Sequence, residues 1–118
     1  MNLWKGSYAG RRYYEQATVP FFSRLYDESH HRGLGWDKAP ADGNSSYVSP
    51  QASVNSFGHT GFTGTMVWVD PEEDLVFVFL SNRVNPDAEN TAITTQRTRR
   101  KIQDVVYSSL TERKSELP

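Results

Sequence analysis

Two runs of β-forming residues, Thr65 to Val69 and Leu75 to Leu80, flank the polar segment Asp70-Pro71-Glu72-Glu73-Asp74, and this pattern predicts an antiparallel hairpin. Both runs are nearly continuous in apolar residues, so the expectation is a central sheet with both faces covered, by helices. Between Glu15 and Tyr26 the residues Val19, Phe22 and Tyr26 recur at spacings of three and four, which predicts a short amphipathic helix. Pro20 falls in its first turn, where a missing N–H costs little. Ile102, Val105, Val106 and Leu110 mark a second helix from about Thr95 to Leu110, with Arg97, Arg99, Arg100 and Lys101 on a solvated face.

The remaining segments read as connections. Leu3 to Tyr14 mixes aromatic residues with Gly6 and Gly10, a loop or hairpin signature. Asp27 to Arg32 is turn-like, and Gly33-Leu34-Gly35-Trp36-Asp37 predicts a short strand. A long surface loop follows, from Lys38 to about Ser53. Asn85-Pro86 marks another loop, and residues 111–118 are expected to fray. The fold class is α+β: a small antiparallel sheet of about three strands packed with an N-terminal and a C-terminal helix.

Composition narrows the function classes. At 118 residues, 36% of them hydrophobic, the chain can bury one modest core, so a single domain over 1–118 is expected. A formal charge of -1 gives no field toward nucleic acid or an anionic membrane. The absence of cysteine excludes disulfides and thiolate metal sites, and no metal or other cofactor is expected. No apolar run is long enough for a membrane segment. His30 and His31 are adjacent, so they do not converge on one ligand and are expected in a surface loop.

The segment that carries chemistry is Ser56-Phe57-Gly58-His59-Thr60-Gly61-Phe62-Thr63-Gly64. Its three glycines weaken a strand unless backbone must approach something closely. Beyond it come the hairpin, the strand end Leu80-Ser81-Asn82-Arg83, Asn85-Pro86 and the terminal helix. In that order the features resemble the end of serine β-lactamase-like proteins, the family of class C β-lactamases, penicillin-binding proteins and related esterases. Gly33-Leu34-Gly35-Trp36 is similar to the glycine-flanked strand that precedes the third motif there.

The resemblance implies that His59-Thr60-Gly61 is the third motif, with His in place of the more usual Lys. His59 and Thr60 would then bond or steer substrate, Gly61 would admit it to the strand, and the Phe62 N–H would be one of two oxyanion donors. Asn82 and Arg83 would lie at the rim. The family's nucleophile sits in Ser-x-x-Lys, and no serine here has a lysine three positions on; Ser29-His30-His31-Arg32 is the nearest imitation. Ser53-Val54-Asn55 matches the second motif in letters but stands too close to His59 to be it.

The expectation is therefore a partial β-lactamase-like domain, inactive alone, whose partner is the missing N-terminal part of the same domain. A strand edge left unpaired by that absence would permit a homodimer. Met1 precedes sequence that resembles mid-domain sequence, and the parent is expected in the periplasm or cell envelope. A noncatalytic binding or interaction module, built on the glycine-rich strand and the long loop, is the alternative.

Overall fold

A computed structural model describes the backbone of residues 5–115 and the side chains of residues 5–110. The chain is α+β and resolves into two compact units, 1–38 and 39–118.

The first unit opens with a minimal hairpin. Strands β1 (Ser7–Tyr8) and β2 (Arg11–Arg12) pair antiparallel across Ala9 and Gly10. Both turn residues have positive φ, 49° and 77°, which matches the twist of the flanking strands. The expected helix forms, but only as α1 (Thr18–Ser23), with Pro20 in its first turn. Arg24 leaves the helix in extended backbone. Phe21, Phe22, Leu25 and Tyr26 stay substantially exposed in place of forming a buried helix face. The aromatic rings pack edge-on against one another, and Arg24 lies 5.0 Å over Phe21 and 4.5 Å over Tyr26.

Asp27 and Arg32 exchange backbone hydrogen bonds of 3.0 Å, closing the turn the sequence predicts. The strand expected at Gly33–Asp37 is instead a turn, because the Gly33 N–H donates to the Trp36 carbonyl at 2.8 Å. Extended structure starts only at β3 (Asp37–Lys38). The buried Asp37 carboxylate is paired with Arg32 Nε at 3.0 Å.

In the second unit, β4 (Phe57–Thr60), β5 (Met66–Asp70) and β6 (Leu75–Phe79) form an antiparallel meander. The predicted hairpin is β5–β6, in the register Met66 opposite Phe79 and Asp70 opposite Leu75. Gly58 lies opposite Trp68, and a Cβ there would collide with the Trp68 ring and the Val67 carbonyl. Only glycine lets β4 approach the buried indole.

One face of the meander holds the core: Met66, Trp68 and Phe77, joined by Val48 and partly buried Phe79, Tyr47 and Val106. The other face departs from the expectation of complete cover. Val76 and Val78 are 43% and 58% exposed and Leu80 80% exposed, and β6 is an edge strand among the described residues.

The long loop also departs from expectation. Its middle is not surface: Val48 and Ser49 are buried, because the loop folds over the core face and hands its backbone to α3. The C-terminal helix is broken at Arg97, whose φ is 54°, into α2 (Ala92–Thr95) and α3 (Thr98–Ser115). Thus α3 runs five residues beyond Leu110; residues 116–118 of the expected frayed tail lie outside the described residues, as do residues 1–4 of the expected N-terminal connector.

The face α3 buries is only in part the one its apolar residues predict: Val106 packs on the core and Leu110 is half-buried. Ile102 and Val105 are exposed, whereas Arg99, Gln103 and Tyr107, spaced four apart, point inward. Gln103 and Tyr107 find polar partners in the interior, whereas Arg99 Nε is buried without one among the described residues. Gln103 Nε2 donates to the Tyr47 carbonyl at 3.0 Å and its Oε1 accepts the Ser49 N–H at 3.2 Å. Arg100 Nη1 donates to the Ser45 carbonyl at 2.7 Å, so this side chain too is drawn from the expected solvated face.

Asp70, fully buried at the end of β5, collects three elements. Its carboxylate accepts the Ser53 N–H at 2.8 Å, the Ser53 hydroxyl at 2.6 Å, the Tyr107 hydroxyl at 2.8 Å and the Glu72 N–H at 3.1 Å. Burial, and then the bond to Asp70, push the Tyr107 phenol well above its ordinary value.

The folded chain therefore keeps a proton that the unfolded chain releases near about pH 10. The stability this supplies is complete below that pH and drains as pH rises above it. Tyr107→Phe should cost about 1–2 kcal/mol at neutral pH by removing one donor to a buried carboxylate. It should also lose the steeper decline of the native chain above pH 10. Urea titrations of both proteins between pH 7 and 11 measure each effect.

Candidate functional site

The His59-Thr60-Gly61 triplet sits where β4 ends and the link to β5 begins. Strand alternation sends its first two side chains to opposite faces: His59 is opposite Val67 on the open face, and Thr60 opposite Met66 on the core face. His59 is exposed, and its Nδ1 lies 2.7 Å from the Thr60 carbonyl. A carbonyl only accepts, so Nδ1 carries the hydrogen. The Nε2 of a neutral ring is then an acceptor, and it becomes a donor only when the imidazole is protonated.

Past Thr60 the chain turns tightly. The Gly61 N–H donates to the Thr65 carbonyl at 2.8 Å, and the Gly64 N–H returns to the Gly61 carbonyl at 2.9 Å. Gly64 adopts φ 90°, and a Cβ on it would press on the Ser81 hydroxyl and Ile93, so glycine is required twice over. A trans peptide directs its C=O and N–H to opposite sides. With the Gly61 carbonyl turned inward to Gly64, the Phe62 N–H is turned outward, and among the described residues it has no acceptor. The Phe62 side chain is 74% exposed.

Three successive carbonyls of this turn are held from below. Arg83 Nε donates to the Phe62 carbonyl at 2.7 Å; the Arg83 N–H and the Ser81 hydroxyl donate to the Thr63 carbonyl at 2.9 and 3.1 Å; Arg99 Nη1 donates to the Gly64 carbonyl at 3.4 Å. Arg83 Nη1 also donates to the carbonyls of Ala88 and Asn90, and its guanidinium lies 4.6 Å over the Phe62 ring. Arg99 is 6% exposed, and its burial pulls the guanidinium below its ordinary pKa.

Asn82 is exposed, on the wall of an open depression of about 300 Å³ lined also by Ser81, Asn90, Ile93, Gln96 and Thr98. The structure thus brings Arg83 against Phe62, while Asn82 faces this depression. Sequence reading missed Ser81 and Arg99. A serine just past an apolar strand gave a faint signal for the first, and an arginine within a cationic helical stretch gave none for the second.

Two further serines, Ser53 and Ser29, have structural settings. Ser53 belongs to the Asp70 cluster, and Asn55 Nδ2 donates to Glu72 Oε1 at 2.7 Å. Ser29 Oγ lies 2.9 Å from His30 Nδ1 and 2.6 Å from Asp27 Oδ1, which superficially resembles a Ser-His-Asp array. Yet Asp27 reaches the same His30 nitrogen, at 2.8 Å. A base that relays a serine proton needs one ring nitrogen for the serine and the other for the carboxylate. The Ser29 hydroxyl and the His30 side chain, in that order, hold the Asp27 carboxyl well below its ordinary range. Among the described residues no three His, Asp or Glu side chains converge as metal ligands, and no helix is long and apolar enough to cross a membrane.

Residues 7–99 match the family described as Beta-lactamase. A protein of Salmonella gallinarum named "Putative D-alanyl-D-alanine carboxypeptidase" is 34% identical over 118 aligned positions, covering 89% of this chain and 26% of the relative. Proteins of the same name from Salmonella paratyphi B and Salmonella newport are each 33% identical with the same coverage. The chain thus spans about a quarter of the length of the curated relatives it matches. No solved structure gives a significant match. The chain belongs to the serine β-lactamase-like family of hydrolases.

Proposed function

We propose that this chain supplies the third-motif half of an acyl-transfer site and carries no nucleophile of its own. The observation that supports the reading is the outward Phe62 N–H on a braced turn, one residue beyond His59-Thr60-Gly61. In this reading a serine outside these 118 residues gives its proton to a base, also outside them, and adds to the acyl carbon of a β-lactam, a peptidoglycan peptide or an ester, whose amine or alcohol takes that proton as it leaves. The carbonyl electron pair moves onto oxygen, and that oxygen accepts from the Phe62 N–H and from the nucleophile's own amide. His59 orients the substrate from the open face of β4, the Thr60 side chain being on the other face, and Gly61 lets the substrate lie along the strand. The names of the Salmonella relatives favour a peptide carboxylate as the substrate's anionic end.

By itself the chain then forms part of a domain and hydrolyses nothing. The 118-residue protein should show no turnover of a chromogenic β-lactam or a p-nitrophenyl ester above buffer. Measurable turnover that scales with protein concentration would sink the division of labour.

The tautomer of His59 sharpens its role: Nδ1 is committed to the Thr60 carbonyl, which leaves Nε2 to face the substrate.

The free edge of β6, with Val76 and Val78 exposed beside it, is where the isolated chain should pair with a second copy. Light scattering of the 118-residue protein should show a dimer at about 100 µM, a concentration that reflects a weak association of about 10 µM Kd. A monomer at ten times that concentration would count against edge pairing.

A further inference from the structure

We infer that Arg83 is a positioning residue for the oxyanion turn: its guanidinium clamps the Phe62 carbonyl and the 85–91 loop together, and so fixes the direction of the Phe62 N–H. This rests on the reading of that N–H as an oxyanion donor.

The geometry is particular to a guanidinium. Nε meets the Phe62 carbonyl at 2.7 Å while Nη1 meets two carbonyls of the following loop, Asn90 at 2.8 Å and Ala88 at 3.0 Å. The plane of the same group lies 4.6 Å over the Phe62 ring. A planar fork can serve three acceptors in fixed directions and stack at once; an ammonium on a flexible stem is a single point of charge and cannot span them. Among the described residues Arg83 forms no ion pair with a carboxylate, so its charge is directed at backbone dipoles.

The clamp acts at the softest place in the turn. In a four-residue turn the central peptide, here Phe62–Thr63, is the one whose rotation separates turn types, and nothing in the 61–64 hydrogen bonds themselves restrains it. Arg83 holds that peptide by the Phe62 carbonyl and the next one by the Thr63 carbonyl, to which its own N–H donates at 2.9 Å; with the Gly61 carbonyl bonded to the Gly64 N–H, the peptides on both sides of Phe62 are then restrained. With Arg83 on the carbonyls of 62 and 63 and Arg99 on that of 64, the outward side of the turn is left to the Phe62 N–H. An oxyanion donor works through preorganisation, and a displacement of about 1 Å can cost on the order of a hundredfold in rate.

The test compares Arg83→Lys with Phe62→Pro in the full-length protein. Proline removes the N–H itself. Phe62→Pro should lower kcat about a hundredfold or more. Arg83→Lys should lower kcat about ten- to a hundredfold with KM within about twofold. Residue-resolved amide exchange of the lysine variant should quicken at 61–64 and 85–91 and stay at native rates in β4, β5 and β6.

A loss of rate in Phe62→Pro with native kcat in Arg83→Lys would overturn the clamp and leave the oxyanion reading standing. Native kcat in Phe62→Pro would overturn the oxyanion reading, and the catalytic role of the clamp with it. Faster exchange across the whole meander in Arg83→Lys would reduce Arg83 to a general stabiliser and also overturn the assignment.

Discussion

The buried Asp70 carboxylate is the point on which the second unit depends. It lies where β5 ends, and its acceptors take up donors from the loop before β4, from the hairpin turn and from α3. A carboxylate out of water is tolerated only when its lone pairs are filled, and here three separate stretches of chain must be in place at once to fill them. Trp68 and Gly58 then fix the distance between β4 and β5, because the indole occupies the space where any other residue at 58 would place its Cβ. The position of the β4 end follows from these two constraints.

A second set of polar contacts operates at the other end of the same strands. There the donors are Arg83, Ser81 and Arg99 and the acceptors are carbonyls of the 61–64 turn. The two ends differ in what is left over. At Asp70 every group turns inward, whereas at the turn the inward pull on carbonyls leaves an N–H facing out. Under the proposed function this N–H is the oxyanion donor. The open apolar face of the meander, with Val76, Val78 and Leu80 exposed, accords with a chain that spans only about a quarter of its relatives' length.

Much of this was legible in the sequence. The β5–β6 hairpin was, because five turn residues between two β-rich runs leave little choice of register. So was the family, because the glycines of residues 56–64 and the order of elements after them are unusual together. The phase of α3 was not legible. Ile102 and Val105 looked like its core, yet Arg99, Gln103 and Tyr107 are buried, since Gly64, Ser45–Ser49 and Asp70 offer them backbone and carboxylate partners. The clamps on the turn were hidden for a related reason. Their acceptors are main-chain carbonyls, which every residue possesses and which no pattern of side chains announces. The buried middle of the 38–53 loop escaped notice because its composition is that of a surface loop, and only Val48 within it is strongly apolar.

The central claim is that these residues polarise an acyl group while another part of the protein attacks it. Peptide mapping of the full-length protein, trapped as its acyl-enzyme with a slowly released β-lactam, tests this most directly. The account predicts that the adduct mass falls on a serine outside these 118 residues, with every serine between residues 5 and 115 unmodified. An acyl group on any serine of this chain would contradict it.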